Sequence, residues 1–98
     1  MTPSKAEVEL WRQNILIDQW YGYEELRRLS QEDYERFIAV CHQLLQDPLP
    51  LVKHWALELL GSRGRRDDPI TEAAALNILR EPEEQDFALG AIFGLLHS

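Results

Sequence analysis

The chain has 98 residues, 45% of them hydrophobic, with 10 Lys+Arg against 17 Asp+Glu and a formal net charge of -7. That length holds one domain with a modest core, and the apolar fraction excludes a disordered chain. The acidic balance excludes a general nucleic-acid binder, which needs a basic footprint.

Ser4-Lys-Ala-Glu7 has the form of a capping box. Behind it Val8, Trp11 and Ile15 fall at helical spacing, which predicts a first helix over 5–19. The pattern breaks at Gly22, and Glu24 to Leu29 suits one or two further turns. Ser30 is placed to cap the next helix, with acids following it at the positive end of the dipole. Phe37, Val40, Cys41, Leu44 and Leu45 form its apolar stripe. Asp47-Pro-Leu-Pro50 ends that helix, since proline disfavours helical geometry in the residue before it.

Val52, Ala56, Leu59 and Leu60 mark another stripe, closed by Gly61. Ser62 to Asp68 is a polar loop. Asp68 suits an N-cap with Pro69 in the first turn, and Ala73, Ala74, Leu76, Ile78 and Leu79 carry the helix to Arg80. Pro82 opens a last helix that reaches Leu96. No β-branched run alternates with period two, so the fold class is all-α, a compact helical bundle or short α-solenoid.

The second half carries a weak duplication. A shift of 34 residues lays Asp47-Pro48 on Glu81-Pro82, Leu44-Leu45 on Ile78-Leu79, and Val40-Cys41 on Ala74-Ala75. A shift of 35 lays Val52, Ala56, Leu57 and Leu60 on Phe87, Ala91, Ile92 and Leu95. The unit is helix, acidic-Pro turn, helix, and such units must stack to bury their faces.

The run from Leu44 through Asp47-Pro48, Val52-Lys53, Ala56-Leu57 and Leu60-Gly61 resembles a HEAT-type repeat. It is most similar to the short HEAT-like form of phycobilin lyases and many bacterial proteins. The resemblance implies that Asp47 stabilises the inter-helix turn and that Val52, Ala56 and Leu60 face the neighbouring helix. It covers residues 31–97, as one unit at 31–62 and a second at 68–97, within a single domain of 1–98. Residues 1–30 form a helical segment without the motif. The second unit departs from the pattern, with Gln85-Asp86-Phe87 where Val and a basic residue belong. A tetratricopeptide unit is excluded, because Leu60-Gly61 falls two positions late after Trp55.

The lone Cys41 rules out a disulfide within the chain. No basic stretch followed by an apolar one opens the sequence, and Phe87 to Leu96 is half the length of a membrane span. A cytoplasmic protein without a membrane partner is expected.

Cys41 and His42 are adjacent, so on a helix they point about 100° apart and do not pair. Cys41 reads as a small core thiol. His54 can approach His42 across the turn, but two histidines lack the ligands for zinc. No hydrolase, metalloprotease or phosphate-loop motif is present, so neither enzyme activity nor cofactor is expected.

Arg63, Arg65 and Arg66 form the basic cluster, a weak candidate for anion contact that Asp67 and Asp68 neutralise. Glu81, Glu83, Glu84 and Asp86 form the densest acidic run, and residues 69–98 hold five acids and one arginine. Dipole complementarity explains part of that run, and a basic protein partner explains the rest. Trp20, Tyr21 and Tyr23 suit either an interface or a core plug. Trp55 lies between the faces of its helix and reads as half buried. Phe87, Ile92, Phe93 and Leu96 make the last helix apolar nearly all round, so an N-terminal helix or a second copy must cover it.

The expected function is a non-catalytic protein-interaction module, an acidic inhibitor, immunity-type or adaptor protein that binds a basic surface. The alternative is a cofactor-handling chaperone, which the likeness to phycobilin lyases implies. Nucleic-acid binding through the arginine loop is not expected at this charge.

Overall fold

The computed structural model describes residues 2–65 and 67–81. Among them are five α-helices and no strand, and the fold is an all-α bundle. The helices are α1 (Lys5–Ile17), α2 (Gln19–Glu32), α3 (Tyr34–Leu44), α4 (Pro50–Arg63) and α5 (Pro69–Arg80).

Two single residues turn the chain. Asp18 ends α1 and begins α2, and Asp33 ends α2 and begins α3. Asp18 lies in extended backbone and Asp33 outside helical geometry, and each carboxylate accepts from the next helix's free amides. Asp18 takes Trp20 N–H at 3.1 Å and Tyr21 N–H at 3.3 Å, and Asp33 takes Arg36 N–H at 3.3 Å.

These caps correct the expected boundaries. The first helix stops at Ile17 rather than 19, and α2 runs straight through Gly22. Ser30 is not a cap. It lies inside α2, where its hydroxyl donates to the Arg27 carbonyl. Gly61 does not close α4, which continues to Arg63.

Gly22 has a packing role. A Cβ built there meets the Ile15 backbone nitrogen and Cα at 2.6 Å, so α2 crosses α1 nearly backbone to backbone. Ser4 caps α1 as expected, accepting Glu7 N–H at 3.1 Å. Glu7's own carboxylate turns instead to Arg36 on α3, with contacts of 2.6 and 2.9 Å. A bidentate charged pair outcompetes a neutral amide for that carboxylate.

The core is one cluster drawn from all five helices, including Ile15, Leu26, Phe37, Leu44, Val52, Leu57 and Ile78. Helix α1 packs on α2, α3 and α4, so the first 30 residues are an integral wall of the bundle. Helix α5 packs chiefly on α4. The α3–α4 turn is held by Asp47, which accepts Leu49 N–H at 2.9 Å and Arg12 Nε–H at 2.6 Å. Val52, Ala56 and Leu60 are buried, and so is Trp55, which corrects its half-buried reading.

Candidate functional site

The α1–α2 corner presents the largest exposed apolar side chains among the described residues. Ile17 is 80% exposed, Trp20 64%, Leu10 61% and Tyr21 53%. Their placement follows from helical geometry. Val8, Trp11 and Ile15 turn α1's first apolar stripe toward the core. Leu10 and Ile17, seven residues apart, share a different face. The Asp18 cap then starts α2, which carries Trp20 and Tyr21 in its first turn.

Trp55 of α4 supports this corner from below. Its ring meets Trp20 edge-on at 5.2 Å and 64°, and Tyr23 at 5.2 Å and 58°. His54 meets the Trp55 ring edge-on at 4.9 Å, and the Trp55 indole N–H donates to Gln19 Oε1 at 3.0 Å. The three aromatic candidates therefore separate. Trp20 and Tyr21 offer surface, whereas Tyr23 packs partly buried against the core. Leu10 and Ile17 were not singled out in the sequence.

Five arginines pair with carboxylates of the same chain while keeping much of their side chains exposed. Arg36 binds Glu7, Arg12 binds Asp47 at 2.6 Å and Glu9 at 3.4 Å, Arg27 binds Glu24 at 3.2 Å, and Arg28 binds Glu25 at 3.5 Å. Arg65 pairs with Glu35 and lies over the Tyr34 ring, 5.5 Å from its centroid. The loop expected to contact an anion thus has Arg65 held by a carboxylate and a ring, with Arg63 as the last residue of α4. Arg66 lies outside the described residues.

Of the acidic run, Glu81 is exposed at the C-terminal end of α5. Glu83, Glu84 and Asp86 lie outside the described residues, as do Phe87, Ile92, Phe93 and Leu96.

The two histidines serve different carboxylates. His42 Nε2 lies 2.7 Å from Asp68 Oδ2. Asp68 caps α5 as the sequence predicts, accepting from Ile70 N–H at 3.0 Å and the Thr71 hydroxyl at 2.7 Å. His54 Nε2 lies 3.3 Å from Glu58. Cys41 is fully buried, and desolvation pushes its thiol well above the ordinary value. Among the described residues no three His, Cys, Asp or Glu side chains gather as a metal site. No helix there is long and apolar enough to cross a membrane.

These pairings set a pH dependence. Burial by itself raises the Asp68 carboxyl, but the hydrogen bonds from His42 and Thr71 outweigh it and hold the group below its usual value. Burial pushes His54 below its usual value, against the pull of Glu58. Both groups bind protons more weakly folded than unfolded, so their contribution is complete above about pH 6.5 and is lost on acidification. His54 acts first as pH falls from about 6.5, and Asp68 follows below about pH 4. Urea midpoints should therefore drop between pH 7.5 and 5, and His54→Gln should flatten that step. An unchanged slope in the variant contradicts this assignment.

Comparison with known proteins finds no matching family model, no match among curated proteins and no match among solved structures.

Proposed function

We propose that this chain is a non-catalytic protein-interaction module that binds a partner with a basic surface. The observation that carries the reading is the fate of the arginines. Five of them, Arg12, Arg27, Arg28, Arg36 and Arg65, lie on carboxylates of the same chain. The charge surplus is thus left as carboxylate, and Asp18, Glu32, Asp33, Asp67, Glu72 and Glu81 are exposed. A surface of that sign steers cationic partners and repels anionic ones.

The side chains with chemical potential support a binding role. Cys41 has no solvent access, and His42 and His54 are each engaged by an acid, Asp68 and Glu58. The α3–turn–α4 hairpin with its Asp47 anchor suits the HEAT-like unit read over 31–62. Size and charge together suit an inhibitor or adaptor of a basic protein in the cytoplasm.

Capture from a native extract tests this. The chain should retain a stoichiometric protein of high isoelectric point that moderate salt releases. Changing Glu81, Glu83, Glu84 and Asp86 together to Gln should weaken capture. Recovery of no stoichiometric protein, or capture undiminished in the fourfold variant, overturns the acidic-surface reading.

A further inference from the structure

We propose that the groove between α5 and the α3–α4 turn is an intramolecular docking site, and that its occupant is this chain's own apolar segment Phe87–Leu96. The proposal is independent of the basic-partner reading, and its failure leaves that reading standing.

Helix α5 buries one strip, Thr71, Ala75 and Ile78, and packs chiefly on α4. The strip beside it is apolar as well and is left open. Ile70 is 49% exposed, Ala73 is exposed and Ala74 is half-buried. This second strip forms one wall of a groove of about 430 Å³ that follows α5 from Ile70 to Ile78. Leu45, at the end of α3, and Lys53, in the first turns of α4, also line it. A helix with two adjoining apolar strips needs cover on more than one side.

Length, pattern and charge select the occupant. Glu81 leaves α5 in extended backbone, and residues 82–86 separate it from Phe87. Extended, that connection reaches about 17 Å, enough to turn the chain back along α5. The twelve residues of α5 span about 18 Å, and residues 87–96 as a helix span about 15 Å. Leu89, Ile92, Phe93 and Leu96 recur at i, i+3, i+4 and i+7, the anchor spacing of a helix seated in an apolar groove. Among the described residues that line the groove there is no carboxylate, and the charged one is Lys53. Such a wall disfavours a cationic partner and suits a segment that arrives with acids. Glu83, Glu84 and Asp86 immediately precede the apolar run. A second copy carries the same segment, but a short tether gives the chain's own segment an effective concentration of about millimolar, which a dilute free copy does not match.

The test places a nitroxide on a Ser98→Cys variant of the full chain, in which Cys41 is fully buried and stays unlabelled. A segment running back along α5 brings residue 98 to the start of that helix. Paramagnetic broadening of amide resonances should therefore be strong at residues 70–74 and weak around Asp18 at the α1–α2 corner. Ile70→Glu should reduce that broadening at least fivefold with the far-UV circular dichroism unchanged, because Ile70 is exposed and an acid in the first turn suits the helix dipole. Ala74→Arg fills the groove and should act in the same way, which keeps the test decisive if the first variant unfolds. Broadening centred on α1 instead of α5 overturns the proposal, as does broadening at 70–74 that survives the folded groove variants. Spin-labelled chain without isotope, mixed with isotope-labelled wild type, should leave residues 70–74 sharp. Broadening there in the mixture assigns the groove to a second copy and overturns the intramolecular site.

Discussion

Replacing Trp55 by alanine is expected to cost about 3–5 kcal/mol, the usual range for deleting a buried large aromatic. The side chain is 6% exposed and joins α4 to the start of α2 through Gln19, Trp20 and Tyr23. Native domains of this size hold only about 5–15 kcal/mol in total, so the variant should be marginal at room temperature. A loss of that size lowers the melting midpoint by very roughly 12–40 °C at about 4–8 °C per kcal/mol. Trp55→Phe keeps most of the packing and gives up the bond to Gln19, so its loss should be nearer 1–2 kcal/mol. Urea unfolding followed by far-UV circular dichroism measures both. Equal costs for the two substitutions would mean that the indole N–H, rather than ring volume, holds the corner.

Gly22→Ala should destabilise the protein by about 2 kcal/mol or more, against the direction that helix propensity gives. Glycine to alanine inside a helix ordinarily gains about 1 kcal/mol. Here the new methyl meets the Ile15 backbone at 2.6 Å, and backbone cannot rotate aside as a side chain can. Overpacking of this kind costs about 1–3 kcal/mol and sometimes more, and the two helices joined by Asp18 have one residue of slack between them. The overlap therefore wins. A rise in stability would show that α2 does not cross α1 as described.

Much of the bundle was legible because local rules and tertiary packing agreed. Ser4, Asp68-Pro69 and the Asp47-Pro48 turn mark their helix ends both in sequence and in structure. The errors lie where two residues of one region compete for a role. Gly22 has the composition of a breaker, yet its lack of a side chain serves a close helix crossing, which no local pattern reveals. Ser30 has the chemistry of a cap, but Asp33 three residues later supplies a charged acceptor and takes the position.

The site was partly legible for the same reason. Trp20 and Tyr21 stand out by type, whereas Leu10 and Ile17 look like ordinary helix apolars until the 8–11–15 stripe is known to face inward. Pairing across 26 to 35 residues, as in His42–Asp68, Arg36–Glu7 and Arg12–Asp47, has no sequence signature at all. Arg36–Glu7 and Arg12–Asp47 set cations on carboxylates of the same chain, and the net charge left over is negative.

The most direct test of this account compares capture from native extract by the wild-type chain and by the variant with Glu81, Glu83, Glu84 and Asp86 all changed to Gln, both confirmed to be folded by their melting midpoints. The account predicts that the wild type retains a stoichiometric basic protein and that the fourfold variant loses it at least tenfold. Equal capture by the two chains would contradict it.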